Sequence, residues 1–487
     1  MSDYIFKIFD FPEDPISLLD VFKEEPFVFF LDSGRPSPEP RRSRAGTFQG
    51  WQDPMLGRFS FIGFDPFEIL QQQGKDSLVA LKKRFFHYAH PHSRLSREKS
   101  PTPLGSGIIG YLSYDLGLRW ENIPLQIKKK DPVIPDSFFG FYDCILTIDH
   151  FQKKLIVTSS GLPERNPNLR RKRAQSRLEG IIGRLKRYPP RPAKSLDISG
   201  RPSRGEPIPS PLNSNFTRHD YGKAIKRILE YIRQGDVYQV NLSQRFEWNP
   251  SGRFNPVKLY RRLRGISPCP FGSLLHCGSF QILSNSPERF IKLEGRRLQT
   301  RPMKGTRPRG ETAEEDRKKK RELLISPKDR AELLMITDLE RNDLGRVCEY
   351  GSIKVKAMRT LEAYQTVFQA TSTVEGQLKK DKDGFDVLRS CFPGGSVTGC
   401  PKIRAMEIIE ELEPTRRGIY TGSLGYMSFS GNMDFNILIR TLLNHGKRIY
   451  SQTGGGIVAD SRPDEEYQET LVKARALRLC LSEIKEV

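Results

Sequence analysis

The 487-residue chain lacks the features by which several function classes are recognised. Its seven cysteines, Cys144, Cys269, Cys277, Cys348, Cys391, Cys400 and Cys480, form no CxxC pair and no His-paired zinc spacing. That excludes a zinc module or a disulfide framework and reads as small core residues in a reducing compartment. No stretch approaches the ~20 apolar residues of a membrane span. The opening Met1-Ser2-Asp3-Tyr4 has no basic region followed by an apolar one, so a cytoplasmic location without membrane attachment is the expectation. No glycine run is followed by GK[ST], which excludes a nucleotide phosphate loop. Helix-turn-helix patterns, RNP-like strands and zinc knuckles are also absent. The formal charge of +22 is spread along the chain, with local peaks at Arg170-Arg171-Lys172-Arg173 and Lys318-Lys319-Lys320-Arg321. It reads as solubility or attraction of anionic partners, not as nucleic-acid binding.

What is present fits a large soluble enzyme. A hydrophobic content of 37% over this length supports a sizeable core. Up to Arg187, short β-type runs such as Phe27-Val28-Phe29-Phe30-Leu31, Gly107 to Leu112 and Cys144 to Ile148 are broken by polar, turn-rich stretches. Residues 33–47 and 89–103 read as surface loops. Leu178, Ile181, Ile182 and Leu185 recur at helical spacing, which makes the preceding RRKR run the exposed start of an amphipathic helix. Residues 188–215 are rich in Pro, Arg, Ser and Gly and lack periodicity, as a linker does. A sheet-rich region over 1–187 and a catalytic region over 216–487 would flank it. Beyond it the pattern predicts a helix over Tyr221 to Gly235 and a strand over Val237 to Leu242. Strands and helices then follow without regular alternation, which points to an α+β fold with large, mainly antiparallel sheets.

Chemistry-bearing residues cluster in this second part. Lys304, in Pro302-Met303-Lys304-Gly305-Thr306, stands between a strand-like run and a glycine turn, with Glu288 upstream in Ser286-Pro287-Glu288-Arg289-Phe290. An amine and a carboxyl so placed can serve as nucleophile and proton partner, though a solvated surface pair is the alternative. Asp329 and Glu332 share one helical face, and Glu466, Glu469 and Lys473 share another. Brought together, two acidic faces suit Mg²⁺, which accepts a few carboxylates and keeps positions for substrate oxygens and water. Apart, they are ordinary solvated faces. The glycines of Thr453-Gly454-Gly455-Gly456-Ile457 could form an anion nest, and Phe392-Pro393-Gly394-Gly395-Ser396-Val397-Thr398-Gly399-Cys400-Pro401-Lys402 is a second glycine turn that supplies hydroxyls, N–H groups and a cation together. With Arg440, these predict a small polyanionic substrate.

In order, SPERF, PMKGTRPRG, DRAELLMITDLERNDLGRV, FPGGSVTGCPKIRAMEIIEELEP, GSLGYMSF, NILIRT and GGGIVADSRPDEEYQETLVKA resemble the chorismate-binding enzymes, which include anthranilate, aminodeoxychorismate, isochorismate and salicylate synthases. The resemblance spans Phe216 to Ile484 closely and the N-terminal region more loosely. It implies an anthranilate synthase component I-like fold, two β-sheets packed as a sandwich with helices outside, with chorismate as substrate and Mg²⁺ as cofactor. By the same resemblance Glu332 and Glu469 are metal ligands with Glu466 and Asp329 close by, and Glu288 is the acid that protonates the departing 4-hydroxyl. Arg440, Tyr426, Lys473, Thr398 and the backbone of Gly455 and Gly456 hold the substrate carboxylates.

Two positions set the branch. Family members that add water at C2 carry a lysine base where this chain has Gln239, which cannot deprotonate water. Anthranilate synthases carry alanine in PIAGT where aminodeoxychorismate synthases, like this chain, carry lysine. The resemblance therefore implies attack of Lys304 on C2, then entry of ammonia at C4 to give 4-amino-4-deoxychorismate, the precursor of para-aminobenzoate and folate. For that Lys304 must be neutral, whereas an unperturbed lysine titrates near 10.4. Gln369 stands where relatives carry a titrating histidine. No glutamine amidotransferase elbow is found, so ammonia is expected from a separate glutaminase subunit, and the end at Val487 leaves no room for a fused lyase. Ser33, with Pro268, Pro270 and Phe271, resembles a tryptophan pocket of relatives.

Overall fold

A computed structural model describes residues 4–11, 14–34, 56–74, 76–89, 100–126, 132–190, 213–250, 255–310, 312–364 and 367–481. Most of the expected linker and much of both expected surface loops lie outside the described residues. Two large antiparallel sheets dominate, one of twelve strands and one of ten. The α+β expectation and the sandwich with outer helices are both observed. Phe29, Phe61, Leu275 and Leu443 of the first sheet meet Ile109, Tyr111, Phe138 and Leu424 of the second in a buried layer between them. On the outer face of the first sheet lie the helices Pro15–Phe22, Pro167–Arg187, Pro256–Ile266 and Pro463–Leu481. The outer face of the second is covered by Ser77–Tyr88, Tyr114–Trp120, Gly384–Cys391 and one end of Pro327–Gly345.

Local sequence accounts for the elements that matter below. The helix Arg218–Arg233 starts where the Thr217 hydroxyl accepts the Asp220 N–H at 3.1 Å, and Gly235, at φ 83°, follows its end. Pro327–Gly345 opens on Ser326, whose hydroxyl accepts the Asp329 N–H at 3.2 Å, with proline in the first turn. Pro167–Arg187 buries Ala174, Leu178, Ile181 and Ile182, as its spacing requires, but only Arg171 and Lys172 of the basic run are exposed: Arg170 and Arg173 are half-buried and donate to the Ser160 and Leu162 carbonyls at 2.8 and 3.1 Å. All seven cysteines are free thiols, six of them buried. Among the described residues no helix is long and apolar enough to cross a membrane.

Strands from both ends of the chain share each sheet. Phe29–Asp32 pairs with Phe271–His276 in the first, and Gly107–Leu112 pairs with Ser423–Ser428 in the second. The chain also passes between the sheets at two adjacent points. Phe280–Ser286 belongs to the first and Arg289–Glu294 to the second, while Met433–Asn436 belongs to the second and Thr441–His445 to the first. The crossings are bonded to one another: Ile437 N–H donates to the Glu288 carbonyl at 3.1 Å, Asn285 N–H to the Arg440 carbonyl at 3.1 Å, and the Ser286 hydroxyl to the Ile437 carbonyl at 2.6 Å.

A buried ion pair fastens the strand Gln239–Trp248 to the segments beside it. Glu413 and Arg417, both almost fully buried, are bonded at 2.8 Å. Glu413 also accepts the Ser243 N–H and hydroxyl at 2.9 and 2.7 Å, and Arg417 donates to the carbonyls of Asn241 and Val397. Removing one partner leaves an uncompensated buried charge, which typically costs about 3–5 kcal/mol. Glu413→Ala should therefore lower unfolding free energy by about that amount in urea titrations, and a change below ~1 kcal/mol would contradict this role for the pair.

Candidate active site

Residues distant in sequence converge where the two sheets and two helices meet. Lys304 lies on the strand Met303–Pro308, paired with Ala370 just before a register shift at Gly305. Gly305 has φ 79°, and a Cβ there would sit 2.8 Å from Leu323 and 3.0 Å from the Asp329 carboxyl, so this bulge requires glycine. The bulge aims a half-buried Lys304 among Glu332, Lys473, Glu288 and Glu469, whose charges it feels. Burial lowers its pKa, with Lys473 adding to the effect and the carboxylates opposing it. Glu288 stands at the first crossing, 4% exposed, with Oε1 unpartnered. Burial lifts its carboxyl to about 7 against the pull of Ser396, Lys304, the Met303 amide and Arg440. Nucleophile and acid candidates thus have pKa values driven toward each other, as acid-base chemistry near neutrality needs.

Arg440 marks the second crossing. Its backbone is left-handed at φ 52°, a conformation that costs a non-glycine residue about 1–3 kcal/mol and is retained at functional sites. The side chain lies near Glu288 and within 3.8 Å of the Cys269 sulfur.

The two acidic helix faces do approach. Glu332 comes from Pro327–Gly345, and Glu466 and Glu469 come from Pro463–Leu481. Burial raises Glu332 and Glu466, and the Glu469 charge adds to both. Burial also opposes ionisation of Glu469, but the Lys473 ammonium, 2.6 Å away, wins and holds its pKa low. Asp329 is instead ion-paired with Arg307 at 2.7 Å. Among the described residues no three His, Cys, Asp or Glu side chains form a ready-made metal cage. Glutamates from two helices held in mutual repulsion fit Mg²⁺, which characteristically takes one or two carboxylates and completes its shell with substrate oxygens and water.

The glycine run is not the loop nest expected from sequence. Gly454, Gly455 and Gly456 lie within the strand Arg448–Ile457, paired with Ser243, Leu242 and Asn241. Neighbouring side chains occupy the space that side chains here would need. A Cβ on Gly456 would be 2.1 Å from the Gln239 amide nitrogen, and one on Gly455 would be 3.2 Å from Glu466 Oε2. Lys473 donates to the Gly454 carbonyl at 2.9 Å. Gln239 is 1% exposed, and neither its oxygen nor its nitrogen has a partner. Gln369, opposite Thr306, has an unpartnered Oε1, and Ser396 a buried unpartnered hydroxyl. Thr398 bonds the Gly394 and Gly395 carbonyls at 3.1 and 3.2 Å. Buried polar groups are normally satisfied, and an orphan costs about 1–3 kcal/mol, so the Gln239, Gln369 and Ser396 atoms are open to a polar ligand, whereas the Thr398 hydroxyl is already bonded.

Tyr426 is not brought here. Strand periodicity turns it with Leu424 into the layer between the sheets, where it meets Phe61 edge-on at 5.4 Å between ring centroids. It lines a separate cavity with Ser33, Pro270, Phe271, Arg58 and Arg289. Three of the four residues expected to form a tryptophan pocket thus share one cavity, and Pro268 is outside its lining. Sequence reasoning passed over Ser396 and Glu340. Glu340 falls on the stripe of Leu333, Ile336 and Leu344, and a carboxylate on an apolar stripe was the available signal.

The profile of the chorismate binding enzyme family matches residues 47–478. The chain belongs to this family. Aminodeoxychorismate synthase component 1 of Escherichia coli is 39% identical over 439 residues, covering 88% of this chain and 91% of that protein. Anthranilate synthase component 1 of Aquifex aeolicus is also 39% identical over 434 residues, 86% of this chain and 85% of the relative. The crystal structure of anthranilate synthase component I from Streptococcus pneumoniae superposes with a TM-score of 0.73 at 31% identity, over 92% and 98% of the two chains. The anthranilate synthase component I-like fold is therefore established, and the protein is a chorismate-utilising enzyme. Both synthase types stand at equal identity, so overall similarity does not choose between them.

Glu288 makes this site legible in stability. Its pKa is about 7 when folded and 4.5 ordinarily. A raised pKa means that the folded state holds the proton more tightly, so this contribution is full below the ordinary value and is lost as pH rises through about 7. The shift corresponds to about 3 kcal/mol. Between pH 5 and 8 the parent should lose that much more unfolding free energy than Glu288→Gln, measured by denaturant titration, and parallel pH profiles would contradict it.

Proposed function

We propose that the protein is an aminodeoxychorismate synthase component I, which aminates chorismate to 4-amino-4-deoxychorismate. The observation that carries this reading is Lys304, a bulge-aimed amine with its pKa lowered by burial, facing a buried carboxyl. The alanine of anthranilate synthases at this position offers no nucleophile.

In this reading Arg440, Lys473 and the backbone at Gly455 and Gly456 receive the substrate carboxylates, Thr398 would join them by turning its hydroxyl from the Gly394 and Gly395 carbonyls, and the orphaned Gln239 amide and Gln369 Oε1 find partners on bound substrate. Glu332, Glu469 and Glu466 would hold Mg²⁺, which when bound supplies positive charge against a substrate carboxylate. Neutral Lys304 attacks C2. The two ring double bonds shift, the C4–O bond breaks, and Glu288 gives its proton to the oxygen, which departs as water. Ammonia then attacks C4, the double bonds shift back, and the C2–N bond breaks to release Lys304 as the neutral amine. A positioned acid accelerates such a departure by roughly 10²–10⁴. Relatives named component 1 support a second subunit as the ammonia source, here a glutaminase.

Incubated with chorismate, Mg²⁺ and ammonium near pH 8, the protein should yield 4-amino-4-deoxychorismate by mass and chromatography. Lys304→Ala should lose that product or shift toward anthranilate, Glu288→Gln should be slower by about 10²-fold or more, and chelation should stop turnover. Glutamine alone should not replace ammonium. Anthranilate as the parent's main product would overturn the assignment.

The cavity of Ser33, Pro270 and Phe271 is proposed to hold tryptophan. Calorimetric titration after a denature-and-refold cycle should show one binding event, weakened by Ser33→Ala, and no heat would remove the proposal.

A further inference from the structure

Two carboxylates behind the site have no part in the reaction just described. Glu340 and Asp343 lie one turn apart on Pro327–Gly345 and are almost fully buried. Asp343 is ion-paired with Lys402, whose ammonium also donates to the Cys391 carbonyl at 3.0 Å. Glu340 Oε1 accepts the Gly395 N–H at 3.0 Å, and its Oε2 accepts the Thr300 hydroxyl at 3.3 Å. One helix therefore grips the loop 392–402 at two places, near its start through Gly395 and at its end through Lys402. Burial, and next the neighbouring Asp343 charge, push the Glu340 carboxyl well above the usual range. It is held by the Gly395 amide and the Thr300 hydroxyl, and by no ion pair of its own among the described residues.

The gripped loop lies against Glu288. A Cβ on Gly394 would be 2.9 Å from Ile437 and 3.5 Å from Phe290, and Ile437 is bonded to the Glu288 carbonyl. Two residues along, the buried Ser396 hydroxyl has no partner, and neither has Glu288 Oε1. Ser396 is also the strongest of the groups that draw the Glu288 pKa down against the effect of burial. A buried donor and a buried acceptor thus stand within each other's reach, neither satisfied by another partner, and their bond strengthens when the carboxyl becomes charged.

We propose that the Ser396 hydroxyl donates a hydrogen bond to the Glu288 carboxylate as its proton is transferred, and that Glu340, through the Gly395 amide, is the positioning residue that holds Ser396 in place. This rests on the reading of Glu288 as the general acid. Glu288 passes its proton to the departing 4-oxygen as the C4–O bond breaks. Ser396 keeps its own proton and shares it with the carboxylate left behind. Thr300 and the Gly395 amide keep Glu340 in place throughout.

The test uses the full chain with chorismate, Mg²⁺ and ammonium, at a fixed concentration of free ammonia across pH. Ser396→Ala and Glu340→Ala should each lower kcat about 10-fold, the worth of one hydrogen bond to a charged group, with KM for chorismate within about twofold of the parent. Glu340→Gln, which keeps an uncharged acceptor for the Gly395 amide, should recover most of the loss. In Ser396→Ala the alkaline limb of kcat should move to higher pH, because the carboxylate has lost a donor. On a Glu288→Gln background Ser396→Ala should cost nothing further. A loss of equal size on both backgrounds, or a rise in KM in place of the fall in kcat, would overturn the role of Ser396 while leaving Glu288 as the acid. Parent-like turnover by Glu288→Gln alone would instead remove the acid reading itself.

Discussion

The paired crossing of the chain between its two sheets is the constraint on which the rest depends. Glu288 and Arg440 stand at the two crossings, and backbone bonds join one crossing to the other. Neither residue belongs to a regular strand, so neither could be held by ladder pairing alone. The strained backbone at Arg440 persists because sheet strands begin or end on either side of it and its carbonyl is bonded to Asn285. A buried carboxyl and a half-buried guanidinium are thereby presented from rigid supports where the layers meet.

Around that junction the protein gathers several charges, some buried and some open to solvent, and leaves several polar atoms without partners. Lys304, Lys473, Glu332, Glu466 and Glu469 influence one another: burial is the first cause of the shifts of Lys304, Glu332 and Glu466, while the Lys473 ammonium holds Glu469 low against it. The Glu413–Arg417 pair resolves the same chemistry internally, with its full set of hydrogen bonds. The contrast separates structural charge from working charge. Where groups are satisfied they fasten segments, and where they are not they describe the polarity of what they await.

Much of this was legible in sequence, and the failures have physical reasons. The helix over 218–233, the helix bearing Asp329 and Glu332 and the strand over 107–112 follow from apolar spacing and caps. Lys304 and Glu288 could be picked out because ordered motifs accompany them. The glycines at 454–456 were misread because sequence shows only the lack of side chains, not the Gln239 and Glu466 groups that fill their places. Tyr426 was misplaced because a motif names a residue without saying which face of its strand it occupies. Glu340 escaped notice because its burial depends on a loop more than fifty positions later. The link between Ser396 and Glu288 likewise needs both segments in space.

The interleaving of early and late strands bears on how the protein comes into being. Phe29–Asp32 finds its neighbour Phe271–His276 only after some 240 residues of intervening chain, and Gly107–Leu112 waits even longer for Ser423–Ser428. Such non-local pairing makes folding slow, since loop closure precedes any stabilising contact. During synthesis the first half must stand with open strand edges that invite association with other chains. Lys473, Glu466 and Glu469 lie on the helix Pro463–Leu481. The site therefore closes only once that helix has been made, and a chain cut short of it would be an aggregation hazard before it was an inactive enzyme.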